Sequence, residues 1–171
     1  MEKTILQIPQ DLTAYFRLEV PAILDRITGE EQALWGIMTP HHMLEHLELV
    51  LQFATGKLTT TCITPEEQLP KFRAFLLSDY GLRRDLKPPF LPEKDTLPLK
   101  TDSLHAAKQL LLQTTEEFLQ TIHHPDFRQA THPFFGELNT HEWLTFQYKH
   151  FTHHFMQFGL VWEELYLNAK T

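Results

Sequence analysis

The sequence predicts an all-α fold organised as a four-helix bundle. In four segments the apolar residues recur at spacings of three, four and seven, the pattern of an amphipathic helix. No segment shows sustained alternation of apolar and polar residues, and two of the connections between the main helices are long. The length of 171 residues is enough for a single domain, residues 1–171, with its own buried core.

The first predicted helix lies within residues 11–27, where Pro21 limits its start. A proline removes a backbone N–H donor and clashes with the preceding turn. The helix is therefore expected to begin at Pro21, in the first helical turn, and to end near Gly29.

The second main helix is predicted to begin at the Thr39-Pro40 pair, with threonine as the cap and proline at the first helical position. It runs to about Ala54, and Gly56 supplies its C-terminal stop. His46 lies beside the apolar face of this helix. Considered alone, it is a boundary imidazole bonded to a backbone carbonyl or to water.

A short helix and a long connection are predicted next. Thr64 and Glu67 form a capping box that starts the short helix, and Pro70 restarts it. Residues 81–98 are rich in proline, so they can neither stay helical nor enter a sheet interior. We expect this crossover loop to lie over one end of the bundle.

The third main helix is predicted to be capped by Asp102 and to run to about Ile122. A histidine at position 105 and two at positions 123 and 124 are expected at the surface or at the helix C-terminus, where cations are favoured. Residues 132–138 predict a rigid aromatic loop that leads into the last helix.

The longest predicted element is a single helix over residues 139–167, about 40 Å in length. Thr140 or Asn139 provides an N-cap side chain, and Glu142 follows three residues after Asn139, as a capping box requires. The only glycine in this stretch is Gly159. A glycine inside a helix costs about 1 kcal/mol relative to alanine, so we expect it not to break the helix.

Two stripes run along this helix. The apolar stripe consists of Leu144, Phe151, Phe155, Phe158 and Trp162. The second stripe, about 100° away, has bulky flanks and a polar middle, and consists of Trp143, Gln147, His150, His154, Gln157 and Val161. We expect the second stripe to be at least partly buried, so its polar groups need partners.

His150 and His154 are four residues apart, which places both rings on one side of adjacent turns. That spacing allows two imidazoles to bind one metal ion. The alternative is that both are hydrogen-bonded core residues, because eleven histidines make chance pairs common. A catalytic metal site also needs a third ligand from elsewhere in the chain.

Composition restricts the partners and the compartment. The formal net charge of −7 disfavours a nucleic acid, whose phosphates require clustered Lys and Arg. The first ten residues lack the apolar core of a secretory signal, and no apolar run has the roughly 20 residues of a membrane span. The only cysteine, Cys62, excludes an internal disulfide and fits a reducing cytoplasm. We interpret Cys62 as structural or incidental, and expect a cytoplasmic protein.

Three motifs now coincide. Residues 150–157 read HxxHHxxQ, residues 35–46 read WGxM followed by MxxH, and residues 132–136 read HPFFG. In combination they resemble the DinB/YfiT-like family of metalloenzymes, in an uncharacterised branch of that superfamily. The resemblance extends over nearly the whole chain, from about Pro21 to Gln157. It implies an up-and-down four-helix bundle, with extra short helices and the proline-rich crossover loop.

The resemblance also implies a three-histidine site for a divalent metal. By motif position the ligands are His46, His150 and His154, whereas the family residue at His153 is usually not a ligand. This sequence adds His42, one turn before His46, and His132 in the last loop. Either of these could compete for the third position.

A three-histidine site leaves coordination positions open for water or for a thiolate. The resemblance therefore implies a metal-dependent hydrolase or a low-molecular-weight-thiol S-transferase. Zinc or nickel is the first choice and iron a further one, because imidazole suits several metals. The candidate catalytic residues are Glu45, Gln157 and His132. The competing interpretations are a solvated helix-face carboxylate for Glu45 and a plain surface or core amide for Gln157.

Four aromatic residues could line an apolar pocket over the ion, or could simply pack in the core: Trp35, Phe134, Phe135 and Trp143. The expected partner is a small-molecule substrate, with a thiol among the candidates. A second copy of the chain is a candidate partner, whereas nucleic acid and membrane are not expected. The alternative function is a non-catalytic helical bundle that binds a small apolar ligand or a partner helix, in which the histidines are replaceable.

Overall fold

The computed structural model describes residues 4–84 and 96–161, together with the backbone of residues 166–168. This part of the chain is mostly helical. Its helices are α1, formed by the consecutive segments Leu12–Ala14, Tyr15–Glu19 and Val20–Arg26, then α2 (Pro40–Ala54), α3 (Leu69–Leu76), α4 (Leu104–Ile122) and α5 (Thr140–Gln157). A single 3₁₀ turn, Glu66–Gln68, precedes α3.

Four short strands form two antiparallel pairs, so the all-α prediction is too narrow. The strands are β1 (Thr4–Leu6), β2 (Ala130–His132), β3 (Gly136–Leu138) and β4 (Tyr166–Asn168). In one pair Thr4 lies opposite Asn168, and in the other His132 lies opposite Gly136. Each strand has only three residues, which is too short for an alternating pattern to appear in the sequence.

The core lies between the helices. Helix α2 packs along α4, while α5 contacts α1, α2 and α3. Large aromatic side chains fill the centre, and the fully buried ones are Phe16, Phe118, Trp143, Phe151 and Phe155. Among the described residues, no helix is both long enough and apolar enough to cross a membrane.

Helix α1 starts earlier than predicted. Asp11 is its N-cap, and the carboxylate accepts a hydrogen bond from the Ala14 N–H at 2.9 Å. The middle segment is π-helical, so the Val20 N–H donates to the Tyr15 carbonyl. The wider π-helical turn before Pro21 moves away the carbonyl with which the proline ring would otherwise clash. The helix can therefore continue past Pro21. The predicted start at Pro21 is therefore wrong.

The other helix starts are close to the predictions. Helix α2 begins at Pro40, with the Thr39 side chain accepting from the His42 N–H, as expected. Helix α4 is capped by Ser103 and not by Asp102. The predicted capping box at Thr64 is wrong, because a 3₁₀ turn without a side-chain cap forms there. Residues 85–95, which make up most of the predicted crossover loop, lie outside the residues that the structure describes.

Helix α5 ends at Gln157, ten residues before the predicted end. Gly159 has a φ of +63° and terminates the helix in a Schellman motif. The Gly159 N–H donates to the Met156 carbonyl at 3.0 Å, and the Leu160 N–H donates to the Phe155 carbonyl at 2.8 Å. The prediction that Gly159 would be tolerated inside a longer helix is wrong, and Trp162 lies outside the described residues.

The aromatic segment before α5 is a β-hairpin and not a loop alone. Strands β2 and β3 enclose a tight turn at residues 133–135, and Gly136 follows it with a φ of +72°. The hairpin leads directly to Asn139, the α5 N-cap. Its side chain and that of Glu142 form the predicted capping box in full.

Candidate metal site

Two long-range contacts fix the position of α5, which carries most of the site. At its start the Glu142 carboxylate accepts two hydrogen bonds from the Arg73 guanidinium on α3, at 2.6 and 2.8 Å. In its middle the fully buried Lys149 ammonium donates to three carbonyls at and just after the end of α3, those of Phe75, Ser78 and Tyr80. These bonds orient the opposite face of α5 toward α2.

The second stripe of α5 is buried, as predicted. His150 and His154 are both 7% exposed, and Gln147 is not exposed at all. His46 projects from α2 toward this stripe and keeps partial solvent exposure. One ring nitrogen from each of the three histidines lies within 4.8 Å of the other two. The described residues contain no other such group of three potential ligands.

The three imidazole rings form a nearly equilateral triangle. The ring centroids of His46 and His150 are 4.9 Å apart, and both of the other centroid distances, to His154, are 4.8 Å. The ring planes are inclined to one another by 72° to 76°. Three imidazoles on a tetrahedral zinc ion, with Zn–N bonds of about 2.0 Å, place their centroids about 5 Å apart.

The shortest contact in the triangle joins the Nε2 atoms of His46 and His150, which are 3.0 Å apart. Two ligands of a tetrahedral zinc ion have their nitrogens about 3.3 Å apart. The pair is therefore spaced closely enough for a shared ion. Without an ion, the same two atoms share one proton in a hydrogen bond.

All three rings are neutral at physiological pH, the form in which imidazole binds metals. Burial, followed by the charge of His153, lowers the pKa of His46 from 6.5 to about 4. Burial and the neighbouring histidines hold the pKa values of His150 and His154 well below 6.5. The nitrogen lone pairs are therefore available without first displacing a proton from an imidazolium.

Gln157 orients His154, as one of its predicted roles requires. The Gln157 side-chain N–H donates to the Trp35 carbonyl at 2.7 Å, which turns its amide oxygen toward the His154 ring. That oxygen accepts from His154 Nδ1 at 2.8 Å. The proton on Nδ1 leaves the Nε2 lone pair free for an ion.

Gly36 makes the approach of Trp35 to Gln157 possible. Gly36 has a φ of +77°, and a Cβ at this position would lie 2.7 Å from the Gln157 side-chain nitrogen. A glycine is therefore needed both for the backbone conformation and for the space. The role of the Trp35-Gly36 pair could not be derived from spacing, because the partner lies more than a hundred residues along the chain.

Two of the sequence candidates are engaged elsewhere. The Glu45 carboxylate accepts hydrogen bonds from the backbone N–H groups of Lys100 and Thr101, at 2.8 to 3.0 Å. Although burial raises the pKa of Glu45, these bonds and the Thr101 hydroxyl lower it overall.

The two ring nitrogens of His42 contact the hydroxyls of Thr39 and Thr96, at 2.7 and 3.0 Å. Neither Glu45 nor His42 belongs to the histidine triangle.

His132 and His153 border the triangle without joining it. His132 is buried, and its Nδ1 accepts from the Phe134 and Phe135 N–H groups in the hairpin turn. Its ring packs on Phe146, with centroids 4.2 Å apart. His153 makes a hydrogen bond with the backbone of Leu82. Its ring lies edge-on to that of His154, with the ring centroids 5.1 Å apart.

The aromatic residues expected around a pocket divide into two groups. Trp143 and Phe135 are buried in the core, and the Trp143 indole N–H donates to the Ala130 carbonyl. Trp35 lies near the site, edge-on to His153 and beneath the Arg84 guanidinium. The sequence interpretation missed Phe146, which stacks on the His150 ring at 5.4 Å with an angle of 19°. Its position four residues before His150 was the available signal.

A family model described as "Protein of unknown function (DUF1569)" matches residues 87–159, less than half of the chain. The matched segment includes His150 and His154 but not His46. No curated protein matches the chain, and no solved structure matches it.

Proposed function

We propose that the protein binds one divalent metal ion through His46, His150 and His154 and uses it for catalysis. The near-equilateral arrangement of the three rings is the observation that carries this proposal. It brings His46 on α2 together with two histidines more than a hundred positions away, with one ring nitrogen of each within 4.8 Å of the others. A hydrogen-bonded core would not require the third ring to complete a triangle.

The environment of the rings supports an open, catalytic type of site. Structural zinc sites are closed by four protein ligands, whereas catalytic sites have three and keep a position for water or substrate. Here three histidines converge, and His46 is the one of the three residues that is only partly buried. When bound, a zinc ion in such a site supplies a water with a pKa near 7 or a position for a thiolate.

The chain's own residues would orient and preserve this site. Gln157 holds the His154 tautomer, and Phe146 supports the His150 ring from one side. Burial keeps the imidazoles neutral. These features support a metal-dependent hydrolase or a transferase that acts on a low-molecular-weight thiol. Zinc and nickel are the proposed metals, because both accept imidazole ligands.

The resemblance to the DinB/YfiT-like family and its up-and-down bundle is part of this proposal. It is supported by the packing of α2 with α4 and of α5 with α1 and α2. It is further supported by the coincidence of the motif histidines with the triangle. The two small sheets are additions to that architecture.

Metal content tests the binding proposal. Purified protein is stripped with chelator, reloaded with zinc or nickel, and assayed by elemental analysis and titration. We expect one equivalent per chain in the wild type. We expect affinity losses beyond the ~10–100-fold typical of supporting residues in His46→Ala, His150→Ala and His154→Ala. His42→Ala is the matched control, since it removes a neighbouring histidine outside the triangle.

Turnover tests the catalytic part. The loaded protein is screened with esters and with thiol conjugates, and the His46→Ala variant is run beside it. We expect turnover only in the loaded wild type. Full metal content in all three alanine variants would contradict the proposed site. Metal binding without turnover, with an apolar probe bound equally by wild type and variants, would favour the non-catalytic bundle.

A further inference from the structure

Gln147 is a fully buried amide without a hydrogen bond. It is 0% exposed, and neither its side-chain oxygen nor its side-chain nitrogen has a partner. Each buried polar atom left unpaired costs about 1–3 kcal/mol. Core packing alone does not explain the residue, because methionine would fill similar space without that cost.

A second unpaired atom lies on the same face of α5. His150 Nδ1 is buried and has no partner. Residues three apart in a helix are neighbours on its surface, which places the Gln147 amide beside the His150 ring. The ring leans toward this turn, since it stacks on Phe146. The unpaired amide oxygen of Gln147 and the unpaired Nδ1 of His150 therefore lie on the same face of α5.

The other histidine of α5 in the triangle, His154, has the glutamine partner on Nδ1 that His150 lacks. His154 Nδ1 donates to Gln157, also three residues away, at 2.8 Å. His150 instead directs its Nε2 to His46 Nε2, with which it shares a proton. If an ion occupies both Nε2 atoms, each neutral ring must carry its one proton on Nδ1.

We infer that Gln147 is the positioning residue for His150 in the metal-bound protein. A rotation of its side chain brings the amide oxygen to the proton on His150 Nδ1 and pairs two orphaned atoms at once. The pair would then mirror Gln157 with His154, on the opposite side of the two ligands. This inference rests on the proposed metal site.

The test compares Gln147→Met with the wild type in two separate measurements. Urea unfolding in chelator gives the stability of the metal-free protein, and competition with a chromophoric chelator gives the zinc dissociation constant. We expect the metal-free variant to be at least as stable as the wild type, because two unpaired atoms are removed. We expect its zinc dissociation constant to rise about 10–100-fold. A purely structural glutamine would not move the two quantities in opposite directions.

Gln120→Met, on the exposed face of α4, is the matched control and should change neither quantity appreciably. Proton NMR of the zinc-loaded wild type should also show a slowly exchanging His150 Nδ1–H, and Gln147→Met should lose it. A zinc dissociation constant within twofold of the wild type in Gln147→Met would overturn the inference alone. Failure of the wild type to bind either zinc or nickel would overturn both the inference and the proposed function.

Discussion

At the scale of single residues, the candidate site depends on which nitrogen of each imidazole carries its proton. His154 is held in one tautomer by Gln157, which is itself held by the Trp35 carbonyl. This chain of two hydrogen bonds links the last turn of α5 to the connection between α1 and α2. Gly36 is its weakest point, because any side chain there would meet the Gln157 amide.

Gly36→Ala tests this chain of bonds. The new Cβ would displace the Gln157 side-chain nitrogen, and the alanine would have to adopt a left-handed backbone conformation. The free energy of unfolding should therefore fall by about 1–2 kcal/mol. Because the His154 tautomer loses its support, zinc affinity should fall about tenfold or more. Urea unfolding and zinc titration measure the two effects.

Gly56→Ala is a matched control for that experiment. Gly56 has a similar φ of +74°, and a Cβ there would meet nothing within 4 Å. It should therefore show the backbone cost without the loss of zinc affinity. Equal zinc affinities in the two alanine variants would mean that Gln157 does not support the site.

At the scale of elements, the end of α5 shows that the effect of a glycine depends on its position in the helix. A glycine inside a helix is a small defect, whereas a glycine in the left-handed conformation after the last turn is a terminator. Gly159 has the second role, since the Schellman hydrogen bonds are both formed. The termination leaves Gln157 in the last turn of α5, where its amide reaches Trp35.

Gly159→Ala distinguishes the two roles by the sign of its effect. At a left-handed position the alanine should lower the free energy of unfolding by about 1 kcal/mol, although no neighbouring atom obstructs it. In an uninterrupted helix, the same change would raise it by about 1 kcal/mol. Urea unfolding reports the sign. Gly159→Asn should lose less than alanine, because asparagine tolerates the left-handed region.

At the scale of the whole molecule, buried histidines link stability to pH. Burial lowers the pKa of His132 from 6.5 to about 3 and that of His153 to about 4, beside the three residues of the triangle. Unfolded histidines bind protons below pH 6.5, whereas these folded ones do not. The unfolded chain therefore gains protons as the pH falls, and the folded protein loses stability below pH 6.5.

His132→Asn isolates one part of this dependence. Asparagine retains an acceptor for the hairpin N–H groups but does not titrate. Between pH 7 and pH 5, the wild type should lose about 2 kcal/mol more stability than the variant, measured by urea unfolding in chelator. Parallel pH profiles for the two proteins would show that His132 takes up a proton in the folded state as readily as in the unfolded one.

Local signals in the sequence determined much of the helical framework. The Thr39-Pro40 start of α2 and the Asn139–Glu142 capping box of α5 follow from cap chemistry, and both are confirmed. The burial of the polar stripe on α5 follows from its apolar flanks. The caps involve residues within about one turn of each other and the stripe lies within a single helix, so local cap chemistry and periodicity specify these features.

Only the tertiary structure decided which histidines and supporting residues come together. The motif resemblance implied His46 as the third residue beside the α5 pair, and His42 and His132 stayed open as competitors. The packing of α2 against α5 brings His46 to the pair and directs His42 to two threonines. The carbonyl of Trp35 reaches Gln157 by the same kind of contact. The contacts of His46 and of Trp35 with α5 join residues more than a hundred positions apart, and their geometry depends on helix packing that no local pattern encodes.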